Sequence, residues 1–284
     1  MLLQSKIQYK HYEPGEFTSI AERTLAEAEE LINTYPWEAQ RYHQPIGFTS
    51  PSISFRNMEG DHLKLALGYN QKFNLYLFPA QQKPRKKTVA DLESAIKDVR
   101  DFYHGNELEG FKQERFVFNP KKHFETKSFE YQVTPKRAWA FSWFRLGFFT
   151  LLTLYFPIYE GTAFAFAAFF PFWFVFAGVN LIFLINYWWY ERDTIIKITA
   201  GQDNFWISRN GNVLHYNKKD VKEIRYYKSP GNRNPWSDNI IIELILRDGQ
   251  ALKFTNLLIP FYTLLGKFQN TPSNCIDKAF PFAR

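Results

Sequence analysis

Three hydrophobic patterns follow one another along the chain. In the first part, apolar residues alternate or cluster in short runs over 52–55, 63–67 and 73–78, which predict strands, the last two joined by a turn at Asn70 and Gln71. Ile20, Leu25, Ala28, Leu31, Ile32 and Tyr35 recur at helical spacing behind a Ser19/Glu22 capping box, and Pro36 ends that helix. Residues 81–87 are polar and basic and read as a loop. Thr88 and Asp91 open a second helix with an apolar stripe of Val89, Leu92, Ile96, Val99 and Tyr103, and Gly105 is its C-cap. Residues 123–133 read as extended. Together these elements predict a small α+β domain with a meander, not a βαβ repeat.

The second pattern is continuous. Residues 139–159 and 163–190 form two apolar runs separated by Glu160, Gly161 and Thr162. A membrane-spanning helix needs roughly 20 mostly apolar residues. The expectation is a transmembrane helical hairpin over 138–190, with spans near 139–159 and 165–188. Trp139 and Trp143 on one run, and Trp188, Trp189 and Tyr190 on the other, form an aromatic belt at one interface. Arg145 sits near the same end of the first span, where its side chain can reach the headgroups as an anchor. Pro171 is expected to kink the second helix. Asn180 and Asn186 are expected to hydrogen-bond across helices or at the interface.

The third pattern is a series of short strands with tight turns. Residues 194–199, 205–208, 213–216, 221–227, 240–246 and 251–254 are strand-like. Asn210-Gly211 and Asp248-Gly249 sit between apolar runs, a strong hairpin signal. A helix fits 259–268, with Pro260 in its first turn. The tail, 269–284, carries Pro272, Phe280, Pro281 and Phe282, and either docks by its aromatics or stays loosely ordered.

Mean hydropathy is −0.36, which alone would suggest a soluble chain, but it averages polar flanks over an apolar middle. The net charge of +7 is explained by placement. Lys121, Lys122, Lys127, Lys136 and Arg137 precede the first span, and Arg192 and Lys197 follow the second. The intervening loop has no Lys or Arg. That distribution places both flanks, and both termini, in the cytoplasm of a multi-pass protein of the bacterial inner membrane. Anionic lipids of that leaflet are the expected partners of the charge, and nucleic acid is not. Met1 to Ile7 lacks the apolar stretch of a signal peptide, so the hairpin is expected to direct insertion. The one cysteine, Cys275, excludes a disulfide framework and a cysteine-based zinc site.

Catalytic signatures are absent: no HExxH, GxSxG, Walker loop or GxGxxG occurs. His11, His43, His62, His104 and His123 are scattered and read as surface or packing residues. The chain is expected to be non-enzymatic and to need no cofactor.

Residues 195–198, the Asn210-Gly211 turn, residues 220–224, the Asp248-Gly249 turn and the last helix together resemble the bacterial pleckstrin-homology-like domain found beside transmembrane hairpins. The resemblance implies a mostly-β, partly open barrel over 191–268, capped by a helix and used for binding and assembly. Lys228, Arg233 and Trp236 in or beside its long loop are the candidate lipid or partner contacts. Within 1–137, runs 50–55, 63–69 and 73–78 and the helix ending at Gly105 faintly resemble small α+β immunity proteins paired with bacterial toxins. The leading expectation is a membrane-anchored binding protein contacting lipid or protein. The alternative is an immunity protein that neutralises a cognate toxin at the membrane. A homo-oligomer is compatible with either.

Overall fold

The computed structural model describes residues 1–41, 51–114, 124–160, 163–231 and 234–283. The chain divides into two compact units, Met1–Ser128 and Phe129–Arg284.

The first unit runs β1 (Leu3–Gln8), β2 (Thr18–Arg23), α1 (Leu25–Thr34), α2 (Trp37–Gln40), β3 (Ser52–Arg56), β4 (His62–Leu67), β5 (Phe73–Phe78), β6 (Arg85–Val89), α3 (Leu92–His104) and β7 (Lys112–Gln113). The strands form one antiparallel sheet in the order β2-β1-β3-β4-β5-β6-β7. One face is apolar: Leu3, Ile7, Ile53, Phe55, Leu63, Leu65 and Leu75 pack with Ile32 of α1 and with Val99, Phe102 and Tyr103 of α3 in one cluster. Each such side chain, fully buried, contributes about 1.5–3 kcal/mol. The other face is polar, yet Lys6, Ser54, Lys64 and Tyr76 on it are buried.

Three expectations for this unit are corrected. The first helix starts one turn later than the Ser19/Glu22 pair predicts, because Ser19 to Glu22 belong to β2. Its capping box is Thr24 and Glu27: Glu27 N–H donates to Thr24 Oγ1 at 3.3 Å, and Thr24 N–H donates to Glu27 Oε2 at 2.7 Å. The basic stretch expected as a loop ends in a strand, β6, because each of its residues finds a partner on apolar β5, Leu75 opposite Lys87 among them. The second helix does not include Thr88 and Val89, which pair with β5 as the end of β6; Asp91 caps it at 2.7 Å from Ser94 N, and Gly105 at φ 72° ends it as expected.

The second unit runs β8 (Glu130–Gln132), α4 (Pro135–Glu160), α5 (Ala163–Trp173), a π-helical turn (Phe174–Gly178), α6 (Val179–Glu191), β9 (Thr194–Lys197), β10 (Asn204–Arg209), β11 (Asn212–Asn217), β12 (Val221–Lys228), β13 (Ile241–Leu246), β14 (Ala251–Thr255), α7 (Phe261–Lys267) and β15 (Ser273–Asp277). Two four-stranded sheets, β11-β10-β9-β8 and β14-β13-β12-β15, share one core with α6 and α7. The Asn-Gly and Asp-Gly turns fall where the hairpins need them, with Asn210 and Gly211 at φ 52° and 82°. The extended segment before the first apolar run contributes β8, which pairs with β9, Tyr131 opposite Ile196. The two apolar helices are therefore an insert between adjacent strands of one sheet.

One helical segment, Ala167–Glu191, is long and apolar enough to cross a membrane by length and composition. Of the two expected spans, the first does not meet that measure among the described residues. Helix α4 has 26 residues, and the apolar stretch among its described residues is Leu146–Tyr155. The helices pack side by side: Trp173 Nε1 donates to Thr150 Oγ1 at 2.9 Å, and Phe149 stacks on Phe176 with centroids 4.9 Å apart. Pro171 lies inside α5 and the π-helical turn follows it, the expected place for a break in the hydrogen-bond ladder.

Helix α6 leaves the apolar insert and enters the core. Asn180, Phe183, Tyr187 and Glu191, one stripe at helical spacing, are all buried. Asn180 accepts from Asn239 Nδ2 at 3.2 Å and donates to the Pro235 carbonyl at 3.2 Å. Asn186 Oδ1 accepts from Ala283 N at 2.8 Å. Both asparagines thus tie α6 to the loop and tail of its own unit. The tail docks: β15 pairs in parallel with β12, Tyr187 donates to the Pro281 carbonyl at 2.8 Å, and Phe282 stacks on Phe183 at 4.6 Å.

Candidate functional site

A cleft in the second unit lies at the base of the helical insert. Thr134 starts α4: its hydroxyl accepts from Arg137 N at 3.2 Å, and its carbonyl from Ala138 N at 2.9 Å. The first two turns then present Arg137 and Phe141 to a cleft of about 690 Å³ whose other walls are β12 and α7. Tyr226 and Lys228 come from β12, Asp238 from the following loop, and Phe261 and Tyr262 from α7. Arg137 Nε donates to the Leu257 carbonyl, which fixes the guanidinium across the cleft wall. Tyr226 packs on Phe261 at 4.5 Å. Burial, and then the Cys275 thiol beside it, raises the Tyr226 hydroxyl above its ordinary value. Tyr262 is 83% exposed at the lip. Two cations, one carboxylate and an aromatic lining suit a ligand with an anionic end and an apolar body.

The sequence candidates are distributed unevenly about this cleft. Lys228 lines it. Trp236 turns away: it stacks on Phe280 at 5.4 Å, and its Nε1 donates to the Ala279 carbonyl at 3.0 Å, so it holds the tail. Arg233 lies outside the described residues. Trp139, Trp143 and Trp189 are exposed on the insert, whereas Trp188 and Tyr190 pack against the core. Arg209 places its guanidinium over the Tyr190 ring at 5.1 Å. Arg145 lies on α4, and its side chain is outside the described ones. Arg137 is the residue that sequence reasoning missed as a site member. It was read only as a topological charge, because β12 and α7 are brought to it from about 90 residues and more away.

A second, smaller opening of about 350 Å³ separates the edge strands β11 and β14, between Leu214, Tyr216, Arg209, Leu252 and Lys253. No group of three or more His, Cys, Asp or Glu side chains able to hold a metal occurs among the described residues.

The strand order, the two opposed sheets and the closing helix now meet a second observation. Residues 130–267 match the family model of a PH domain. The match begins at β8 and ends with α7, so the matched segment includes the helical insert and the whole of the cleft. Its first strand was expected to belong to the N-terminal domain. No curated protein matches the chain. A PH domain supports protein or lipid binding as the activity class.

Proposed function

We propose that this chain is a non-enzymatic, membrane-anchored binding protein whose PH domain works against the anionic surface of the bacterial inner membrane. The observation that carries the reading is the cleft at the base of the helical insert. Arg137 and Phe141 line it, and Trp143 and Phe144, the next residues of α4 with exposed apolar rings, begin the insert's outer surface. Leu151, Ile158 and Tyr159 continue that surface on α4, and Phe170 and Val175 on the partner helix. A soluble monomer rarely exposes so large a contiguous apolar surface.

The pairing of β8 with β9 supports two crossings. Both ends of the insert leave one sheet from neighbouring strands, so a bilayer crossed by α5 and α6 must also be crossed by α4. This brings both units to one side of the membrane. With the insert in a bilayer, the cleft stands at headgroup level. Arg137 and Lys228 then pair with a lipid phosphate, Arg137 through its planar fork, and Phe141 and Phe261 meet the upper acyl chain.

Purification in mild detergent followed by analysis of retained lipid tests this reading. Enrichment of anionic lipid over the bulk membrane is expected, lowered to the bulk ratio by Arg137→Gln together with Lys228→Gln. Equal retention by the native chain and the double variant contradicts it.

A further inference from the structure

The polar face of the N-terminal sheet holds a group of cations around a cavity. Cross-strand register places Gln4, Arg56, His62 and Phe78 in one row across β1, β3, β4 and β5, and Lys6, Ser54, Lys64 and Tyr76 in the next. Alternation along these strands would send both rows to solvent. Instead Lys6 is 5% exposed and Lys64 1%. Phe124 lies across them, 4.5 Å from the Phe78 ring and 4.9 Å from the His62 ring. Lys6 Nζ donates to the Phe124 carbonyl and sits 4.3 Å from the Phe17 ring centroid. Lys64 Nζ donates to Gln8 Oε1 at 3.1 Å.

The segment carrying Phe124 is fastened at Gly15. Lys127 N–H donates to the Gly15 carbonyl at 3.2 Å. Gly15 has φ 85°, and a Cβ there would stand 2.6 Å from the Glu125 carbonyl oxygen. Only glycine fits. Beneath this segment is a cavity of about 580 Å³ lined by Lys6, Arg56 and His62 and by Phe78, Pro84 and Phe124. The exposed Glu59 and Glu125 also line it, at the solvent side. Arg56 opposes the charged form of Lys6; Lys6 and Arg56 oppose that of His62, and Asp61 favours it. Burial first, then Arg56, lowers the Lys6 ammonium to about 8; burial, then Lys6 and Arg56, lowers His62 to about 4. His62 Nδ1 is buried without a hydrogen bond among the described residues.

Lys6 is a desolvated ammonium held against a neutral carbonyl, with the exposed Arg56 adding positive charge beside it; that arrangement is costly, and an apolar side chain of similar volume in place of Lys6 would be at least as stable. An anion placed beside these two cations offsets that cost. We propose that this cavity binds a small organic anion, a carboxylate or phosphate ester with an apolar body, its charged end among Lys6, Arg56 and His62 and its body between Phe78, Pro84 and Phe124. The volume lies within the ordinary range for small-molecule sites.

Calorimetric titration of the full chain in lipid nanodiscs, with phenyl phosphate as ligand and benzyl alcohol as its neutral counterpart, tests the proposal. Phenyl phosphate is expected to bind at one site per chain, at least roughly tenfold more tightly than benzyl alcohol. Arg56→Gln is expected to weaken it by at least about tenfold with no change in thermal unfolding, and Arg137→Gln to leave it unchanged. If Arg56→Gln does not fold, Lys6→Met makes the same test, since it replaces a buried ammonium with an apolar chain of similar length. No heat from phenyl phosphate, equal binding of benzyl alcohol, or loss of binding in Arg137→Gln in place of the cavity variants would overturn the assignment.

Discussion

In the second unit a buried carboxylate is held by one backbone donor and a nearby guanidinium, its Oε2 accepting no hydrogen bond among the described residues. The Glu191 carboxylate is fully buried, accepts from Thr255 N at 2.8 Å and faces Arg209 Nη2 at 3.8 Å. Arg209 in turn donates to the Lys253 carbonyl at 3.0 Å and to Thr194 Oγ1 at 3.2 Å. One network thus joins the end of α6 to β9, β10 and β14. In the N-terminal unit the buried Asp98 is paired with Lys87 at 2.7 Å, but two buried ammonium groups donate to neutral oxygens, Lys6 to a backbone carbonyl and Lys64 to a side-chain amide. The first arrangement is what a structural joint requires, because it holds a helix to two sheets. The second also links distant segments, Lys6 to Phe124 and Lys64 to Gln8, but holds each ammonium against a neutral oxygen, at a cost in stability that a bound anion would offset.

This contrast can be broken by substitution. Glu191→Ala leaves the Thr255 N–H without its acceptor and the Arg209 guanidinium without its nearby counter-charge, and should destabilise the second unit by about 3 kcal/mol. A lowered unfolding midpoint in urea, scored on detergent-solubilised protein, is the expected readout; a variant as stable as the native chain would remove Glu191 from the joint. Lys64→Met should act in the opposite direction, stabilising the N-terminal unit by about 2 kcal/mol at pH 7. A loss of similar size would mean that Lys64 is itself a structural tie.

The two lysines also set a pH dependence. Burial, then Lys6, lowers Lys64 from 10.5 to about 7, and burial with Arg56 lowers Lys6 from 10.5 to about 8. Between those folded values and 10.5 the unfolded chain binds more protons than the folded one, so stability rises with pH. His62 adds a loss of stability as pH falls from 6.5 towards about 4. Calorimetric unfolding of the N-terminal unit should therefore move to higher temperature between pH 7 and 9.5, and Lys64→Met should flatten that slope. A midpoint that falls over this interval in the native chain would contradict the burial of the two ammonium groups. The smallest effect belongs to an exposed cap: Thr24→Ala should cost about 1 kcal/mol, visible as increased hydrogen exchange confined to α1.

How much of this was legible depended on whether the signal was local. The PH strands were readable because Asn210-Gly211 and Asp248-Gly249 fix their own turns whatever surrounds them. The capping of α3 was readable for the same reason. Strand β1 was not, because Leu3–Gln8 is mostly polar and owes its place to pairing with β3. The start of α1 was misread because Ser19 and Thr24 both offer a capping pattern, and only pairing of 18–23 with β1 decides between them. The burial of Lys64 had no local trace at all. In Leu63-Lys64-Leu65 it stands where a solvent-facing residue stands, and Phe124, about sixty positions on, covers it. A signal for the role of α6 was present: Asn180, Tyr187 and Glu191 share a stripe with Phe183, and polar groups aligned on one side of an apolar helix mark a protein-facing surface.

A helical insert that crosses the membrane twice, as proposed, would return both units to the same side. Cys275 is the one cysteine of the chain and is exposed on β15, so it reports the side of the PH unit directly. A membrane-impermeant maleimide should label it in inverted inner-membrane vesicles and not in intact spheroplasts. In a Cys275→Ser background, Glu93→Cys on the exposed side of α3 should label from that same side. Labelling of the two positions from opposite sides, or of Cys275 in spheroplasts, would contradict the account.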